Sequence, residues 1–173
     1  MSADWYKEQP TNRNFLNPIG YLLKLEKFEG VDFFCQRANV PDVTMPTTEV
    51  ASPFRNLPIV PSGGVTFGDF SVSFIVDEDL ANYNSIHKWI RDVGNADQMS
   101  RTTPEDDIYT LGQLHIVTSQ YNPAFVVEFQ NIFPVALTNL QFDATITDVE
   151  YITAEVTFKH QRFFIRDKNL QSL

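Results

Sequence analysis

Residues 65–76 read VTFGDFSVSFIV, which is the clearest strand pattern in the chain. From Phe70 to Val76 every second residue is apolar, and Ser71 and Ser73 lie between them. Successive side chains of a strand point to opposite faces, so this alternation predicts one face in a core and a mixed opposite face. The core of the protein is therefore expected to contain β-sheet.

The period of the apolar residues changes directly after this strand, over residues 77–94. They now recur at intervals of three and four, which indicates one amphipathic helix. Asp77 or Asp79 would cap its N-terminus, and Gly94 lies where a helix commonly ends. We expect this helix to dock onto the outside of the sheet through its apolar residues. These are Leu80, Tyr83, Ile86, Trp89 and Ile90.

Further strand patterns lie on both sides of this unit. Residues 21–28 alternate between apolar and polar side chains, Glu29-Gly30 supplies a turn, and residues 31–37 return as a second strand. Together they predict an antiparallel hairpin. The remaining strands are predicted at residues 111–120, 123–133, 139–148 and 150–165, the last of them unusually long. The predicted fold is mainly β: an antiparallel β-sandwich or barrel of about seven strands, with one flanking α-helix and a long proline-rich loop.

The proline-rich loop, residues 39–65, is the segment that this fold explains least. Its prolines remove backbone donors and fix φ, so regular ladders are not expected within it. Its apolar residues nevertheless need cover, and they are too spread out to form a core of their own. We therefore predict that the loop packs against a neighbouring subunit. The residues assigned to this contact are Pro41, Val43, Met45, Val50, Phe54, Leu57 and Ile59.

The composition excludes several classes of function. A hydrophobic fraction of 43% is that of a folded globular chain, and a net charge of −9 argues against binding to nucleic acid or to an anionic membrane. Cys35 is the only cysteine, so no disulfide within the chain is expected, and a small buried side chain is the favoured interpretation. We find no secretion signal or membrane span in the sequence and expect a soluble intracellular product.

The chain offers no catalytic, cofactor or metal constellation. The acidic run at residues 77–79 fits a helix start, and the run at 105–107 fits a solvated loop. His87, His115 and His160 lack metal-site spacing, and Ser62-Gly63-Gly64 lacks the residues of a phosphate loop. Bases and aromatics alternate only at residues 159–166, where a strand end or a contact with an acidic neighbour is favoured over nucleic-acid binding.

The stretch at residues 38–90 reads ANVPDVTMPTTEVASPFRNLPIVPSGGVTFGDFSVSFIVDEDLANYNSIHKWI and resembles the tail tube protein family of contractile-tailed bacteriophages. The family shares the Ala-x-x-Pro segment after a hairpin, the apolar proline-rich loop, and a TFxDFSVxFxVDED strand that leads into a helix. Residues 133–163, FPVALTNLQFDATITDVEYITAEVTFKHQRF, are similar to its closing strands.

The resemblance implies a structural virion protein, not an enzyme. Its subunits would form a homo-hexameric ring with a continuous inner barrel, and the rings would stack into a tube through which DNA passes. Implied partners are the tail sheath, baseplate and tape-measure proteins, with DNA only in transit and no membrane binding. Localisation would be the virion, after assembly in the host bacterial cytoplasm. The helix would face outward.

The domain organisation that follows is a polar extension at residues 1–14, a single tail-tube-like β-barrel domain at 15–166, and a tail at 167–173. The net charge of −9 and the solvent-side polar residues of strands, such as Thr153, Glu155 and Thr157, predict an acidic bore, and the sequence leaves open which strand face lines it. The alternatives are a tube-initiating baseplate protein or a neck connector of the same fold. In a different class, the alternative is a monomeric β-sandwich binding module.

Overall fold

The computed structural model describes residues 15–26, 34–59, 64–94, 108–145, 150–168 and 170–171. Helix α1 spans Ala81–Val93. The strands are β1 (Tyr21–Leu25), β2 (Cys35–Ala38), β3 (Val43–Thr44), β4 (Thr48–Ala51), β5 (Asn56–Ile59), β6 (Thr66–Phe67), β7 (Phe70–Ile75), β8 (Thr110–Val117), β9 (Pro123–Leu137), β10 (Thr153–Lys159) and β11 (Arg162–Asp167).

The main body is a seven-stranded sheet in the order β1-β8-β9-β10-β7-β2, with β11 paired to β9. All of its pairs are antiparallel. In β7, Phe70, Val72 and Phe74 are fully buried, whereas Ser71 and Ser73 on the opposite face are half-buried, as the alternation predicts. The predicted fold class is therefore confirmed: mainly β, antiparallel, with a flanking helix.

β9 connects the two halves of the barrel. It is 15 residues long; its N-terminal part pairs with β8 and β11, and its C-terminal part pairs with β10. Between these parts Asn131 has a φ of 54°, a left-handed conformation that asparagine tolerates. Its side-chain amide donates to Gln161 Oε1 at 2.9 Å. Because the chain also bends at residues 160–161, the long strand predicted at 150–165 is divided into β10 and β11.

β1 and β2, the first and last strands in the order of the sheet, lie side by side, which brings the barrel close to closure. The Tyr21 hydroxyl is hydrogen-bonded to the thiol of Cys35, and burial, followed by this contact, raises the pKa of Tyr21 to about 12. The strands of the predicted hairpin, β1 and β2, have other ladder partners: β1 pairs with β8, and β2 pairs with β7. Residues 27–33, which connect them, lie outside the described residues. We refer to the β1–β2 junction as the seam.

Helix α1 closes one end of the barrel instead of lying on the outside of the sheet. Its side chains donate hydrogen bonds to backbone carbonyls at the ends of other elements: Asn82 Nδ2 to Ile75 at 2.9 Å, Tyr83 OH to Thr138 at 3.0 Å, and Trp89 Nε1 to Ile108 at 3.2 Å. Ile86 and Trp89 are buried in the same core as the strands, with Tyr83 and Ile90 packed against it. We call this the capped end.

Leu80 does not belong to the packing face that the sequence predicts. It precedes the helix, has a φ of 57°, and is 40% exposed. The chain turns there so that the Asp77 carboxylate can accept the backbone N–H of Asn82 at 3.3 Å. Asp77 therefore satisfies a donor of the first helical turn, as expected of a capping residue. Gly94 ends the helix with a right-handed φ of −74°.

Two predicted strands also have different boundaries. Residues 139–145 are not in a strand, because β9 continues through Pro134 to Leu137 before the chain leaves the sheet. Pro134 lies beyond Ile132, the last β9 residue that pairs with β8, so its missing N–H interrupts no ladder on that side. The stretch 65–76 is divided at Gly68, where a Cβ atom would collide with the Asp42 side chain.

No helix within the described residues is long and apolar enough to cross a membrane.

Candidate assembly interface

The described residues of the proline-rich loop form a projecting two-stranded hairpin, which we call the arm (residues 42–59 and 64–67). At its base β3 pairs with β6, and further out β4 pairs with β5. The expectation that its prolines exclude ladders is wrong, because Pro58 lies within β5 opposite Glu49. A two-stranded hairpin leaves one edge of each strand unpaired, and a proline can be accommodated there. At the tip, the Ser52 hydroxyl and the Arg55 backbone are hydrogen-bonded to each other.

The outer part of the arm is amphipathic. Val50 lies opposite Leu57, and Ile59 lies opposite Thr48 on the same face, so this face is largely apolar. The other face carries Glu49, whose Oε2 accepts a hydrogen bond from Asn56 Nδ2 at 3.0 Å. An isolated two-stranded hairpin is at best marginally stable in water. One apolar face of the arm therefore lacks the second layer that such a face normally packs against.

Nearly all the predicted contact residues of the arm are exposed to solvent. Phe54 at the tip is 98% exposed, which no residue serving its own subunit's core would be. The others that are exposed are Val43, Met45, Val50, Leu57 and Ile59. Pro41 is the exception: it is buried at the point where the arm leaves the barrel, so it is unavailable to a neighbour. The sequence missed this because proline spacing carries no information about burial.

The base of the arm is held by its own subunit. The Gly68 N–H donates to the Asp42 carbonyl at 2.9 Å, and the Asn39 side chain bridges the Asp69 carbonyl and the Ser71 N–H at 3.0 and 2.6 Å. Phe67 of β6 packs edge-on against Phe163 with ring centroids 5.5 Å apart. The arm is therefore anchored at its root, whereas the apolar residues of its outer part are exposed.

His160 belongs to this anchoring cluster and not to a metal site. Its ring lies 5.3 Å from Phe129, 5.7 Å from Phe163 and 5.9 Å from Phe67, centroid to centroid. Among the described residues neither ring nitrogen has a hydrogen-bond partner. Burial lowers the pKa of His160, and nearby Lys159 lowers it further, whereas Asp69 opposes them. Charging this imidazole is therefore disfavoured by its apolar surroundings.

The other chemically suggestive residues also have structural surroundings. His115 Nε2 is 3.2 Å from Gln113 Oε1, and burial followed by Lys24 lowers the pKa of His115. Within the ranges that the structure describes, no group of three or more His, Cys, Asp or Glu residues could hold a metal ion. The acidic run at 105–107 and residues 62–63 lie outside those ranges.

The basic and aromatic cluster at residues 159–166 makes contacts within the subunit. Arg166 Nε is 2.9 Å from Glu128 Oε2, and its guanidinium lies 5.6 Å from the Phe164 ring centroid. Lys159 Nζ is 2.6 Å from Asp69 Oδ1. Lys159 and Arg166 are therefore each engaged with an acid of the same subunit, whereas Arg162 is exposed.

The solvent face of β7 and β10 is rich in hydroxyl groups. Glu155 lies opposite Ser73, and Thr157 lies opposite Ser71. A groove of about 440 Å³ passes along this face to the seam and is lined by Glu155 and Arg37 among others. Since Glu155 and Asp69 are matched in number by Arg37 and Lys159, the described part of this face is close to neutral. The acidic bore stays a prediction.

The sequence analysis identified the apolar residues of the arm but missed its strands and the hydrogen bond between Glu49 and Asn56. The signal was present as an alternation on either side of residues 52–55, TEVA before them and NLPI after them. Pro58 concealed it, because proline within a run argues against a strand unless the strand has a free edge.

This architecture, a nearly closed antiparallel barrel with a helix across one end and a projecting arm, is similar to several solved structures. The chain resembles the anti-feeding prophage cap, described as the AFP tube terminating cap, at a TM-score of 0.64 and 16% identity over 94% of this chain and 98% of that one. It also resembles a chain of the PVC sheath-tube complex in the extended state, with TM-score 0.62 and 14% identity over 90% and 93%. An Hcp protein follows at TM-score 0.51 and 9% identity over 88% and 95%.

The family is shown by sequence. The phage tail tube protein family matches residues 8–166, and the chain belongs to that family. Comparison with curated proteins finds no match. The resemblance to tail tube proteins predicted from residues 38–90 is therefore confirmed.

Proposed function

We propose that this protein forms homo-hexameric rings that stack into the inner tube of a contractile tail, through which phage DNA passes. The observation that supports it most directly is the arm, which is anchored at its base and exposes an apolar face and Phe54 to solvent. Monomeric proteins rarely expose a contiguous apolar surface of this kind without a partner for it. In this proposal the protein is structural and performs no catalysis.

The arm supplies the contacts between subunits. Val43, Met45, Val50, Leu57 and Ile59 pack against an adjacent protomer or ring, together with Phe54 at the tip. The prolines restrict the arm before it docks, which lowers the conformational entropy lost on association. The ladders of β4 and β5 contribute in the same way, because they hold the apolar face together in advance.

The helix and the hydroxyl-rich face divide the remaining roles. Tyr83, Ile86, Trp89 and Ile90 hold α1 on its own barrel, which leaves its exposed side for the tail sheath. The face with Ser71, Ser73, Thr153 and Thr157 suits the wall of the channel, since it has no excess of bases with which to retain DNA.

The proposed partners are the tail sheath, the baseplate and the tape-measure protein. Two of the similar folds come from a sheath-tube complex and from a baseplate, which supports the first two partners. The protein would be assembled in the host bacterial cytoplasm and would reside in the virion.

Electron microscopy of the purified protein in negative stain tests the proposal. We expect rings with six-fold symmetry and stacked tubes. Replacing residues 43–60 with a short Gly/Ser linker should abolish tubes while leaving a cooperative melt and a β-rich circular dichroism spectrum. A parent protein that remains monomeric at every concentration would instead support the binding module and refute the proposal.

A specific observation also favours a second position in the tail. The fold resembles a tube terminating cap and a baseplate chain about as well as a tube chain, at TM-scores of 0.64, 0.60 and 0.62. A tube-initiating or connecting protein would form single rings without stacking. Micrographs that contain rings alone would assign this role.

A further inference from the structure

The base of the arm lies against the bend between β10 and β11, and His160 is the first residue of that bend. The imidazole ring contacts phenylalanine rings from three different strands: Phe67 of β6, Phe129 of β9 and Phe163 of β11. Its centroid lies between 5.3 and 5.9 Å from each of theirs. Because Phe67 is the residue at which the arm rejoins the barrel, His160 contacts the arm at its base.

These surroundings suit a neutral imidazole and not a charged one. Both ring nitrogens of His160 are buried, and neither has a hydrogen-bond partner among the described residues. A protonated ring carries two N–H donors and a positive charge, and burying them without partners is unfavourable. Burial accordingly lowers the pKa of His160, Asp69 raises it by a smaller amount, and Lys159 lowers it.

The charged groups that act on His160 are already paired with each other. Within the part of the chain that the structure describes, these groups are Asp69, two residues after the arm, and Lys159 of β10. Lys159 Nζ lies 2.6 Å from Asp69 Oδ1. The faces that β6, β9 and β11 turn toward the imidazole are aromatic. A charged ring can therefore gain a partner only by leaving its position, toward Asp69 or toward water.

We propose that His160 is a pH-sensitive switch for the arm: the neutral ring holds the base of the arm against the barrel, and the protonated ring releases it. The neutral imidazole fills the space between the three phenylalanine rings. The imidazolium moves out of this space, and Phe67 loses its contact with it. The inference concerns the single subunit and goes beyond the proposed ring.

The base of the arm is the part of the subunit that such a change affects first. β6 has two residues and pairs with β3 in a separate two-stranded sheet, so its ladder does not join it to the barrel. The contacts that do so are the rings around Phe67 and the hydrogen bonds of Asn39 and Gly68. Phe129, by contrast, is fully buried in a strand that pairs with β8 and β11. Segments with few buried contacts open before the core does.

The direction of the pH effect follows from the lowered pKa. In the released state the imidazole is in water, where the pKa of histidine is about 6.5. One proton is taken up on release between that value and the lower pKa of the buried ring. Over this interval the ratio of released to held arm should therefore rise by up to about tenfold for each unit by which the pH falls, and it should level off at lower pH.

Hydrogen–deuterium exchange of the full chain, followed by mass spectrometry between about pH 7.5 and pH 5, tests the inference. Each rate is divided by the intrinsic rate of the same peptide at the same pH. Peptides that cover residues 42–44 and 64–69 report on the base of the arm, and peptides from β7 report on the barrel. We expect the corrected rate to rise in acid at the base of the arm and to stay constant in β7.

Two variants separate the switch from other effects of acid. His160→Phe fills the same space without titrating, so the corrected rate at the base of the arm should no longer depend on pH. The matched control is His115→Gln on β8: burial lowers the pKa of His115 as well, but its strand pairs with β1 and β9 and not with the arm. This variant should respond to pH as the parent does.

A third variant retains the histidine and changes its partner. Because Asp69 raises the pKa of His160, Asp69→Asn should move the midpoint of the response to lower pH, which a role in packing alone would not do. An equal response in the parent and in His160→Phe, or a parent that does not respond, would overturn the inference. If His160→Phe does not fold, an unshifted midpoint in Asp69→Asn overturns it. The proposed function is decided separately, by whether the parent forms rings at pH 7.5.

Discussion

Removing the side chain of Ile86 tests whether α1 closes the capped end as the structure indicates. Ile86 is fully buried and belongs to the core formed by the strands, and Trp89 one turn later lies 6.2 Å from the Phe158 ring. Ile86→Ala removes three side-chain carbons from a site surrounded by β-strands. The strands cannot move in to fill the space as freely as a surface loop could, so a cavity is expected to remain.

The expected loss of stability follows from this burial. Truncating a buried isoleucine to alanine costs about 2–5 kcal/mol, through lost transfer free energy and the cavity left behind. A domain of this size loses roughly 2–4 °C in Tm per kcal/mol, so we expect a decrease of about 4–20 °C. Ile90 is only half-buried, so Ile90→Ala should cost less than Ile86→Ala.

The assay is thermal unfolding followed by circular dichroism at one fixed protein concentration, since assembly would otherwise shift Tm by mass action. The matched control is Leu80→Ala, because Leu80 precedes the helix and is 40% exposed. It should change stability by no more than about 0.5–1 kcal/mol. If Leu80→Ala proved more damaging than Ile86→Ala, the helix face described here would be wrong.

Two further predictions concern titratable groups. Because burial lowers the pKa of His160, its contribution to stability is present above the unfolded pKa and is lost as pH falls through the folded pKa. The Tm of the parent should therefore be lower at about pH 5 than at about pH 7.5, and His160→Phe should reduce that difference. Part of the remaining difference is due to His115, whose pKa is also lowered. An equal difference in both proteins would contradict the assignment to His160. For Tyr21, subtracting the ultraviolet titration of Tyr21→Phe from that of the parent should leave a transition near pH 12, and a midpoint near 10 would mean that the seam is open in solution.

The parts of the fold that follow a local period could be predicted from the sequence. The alternation from Phe70 to Phe74 set the core face of β7 correctly, and the change of period after Val76 located α1. Strong periodicity is sufficient in such segments because one face is buried against many residues, and any other register would expose it. The class of fold and the family resemblance both depend on these segments.

The parts that depend on long-range contacts could not be predicted in this way. The split between β10 and β11 is set by a bend that matches Asn131 on the facing strand, and no local pattern at residues 160–161 indicates it. Pro134 directly follows the strand predicted at residues 123–133, and Pro58 lies in the loop predicted to lack ladders, but a proline matters only when its nitrogen faces a paired edge. Which edges are paired is a property of the assembled sheet. The burial of Pro41 and the exposure of Leu80 depend on packing in the same way.

The distribution of apolar surface separates folding from assembly in this subunit. At the seam Tyr21 meets Cys35, and at the capped end Ile86 and Trp89 fill the core, so these closures use the subunit's own residues. The outer part of the arm, by contrast, is an apolar surface that the subunit leaves exposed. A self-complementary patch would be satisfied by a two-fold dimer, which ends growth at two copies. In the proposed ring the arm meets a different surface of its neighbour, which would leave one of each surface unsatisfied in every open oligomer, so association would continue until the ring closes.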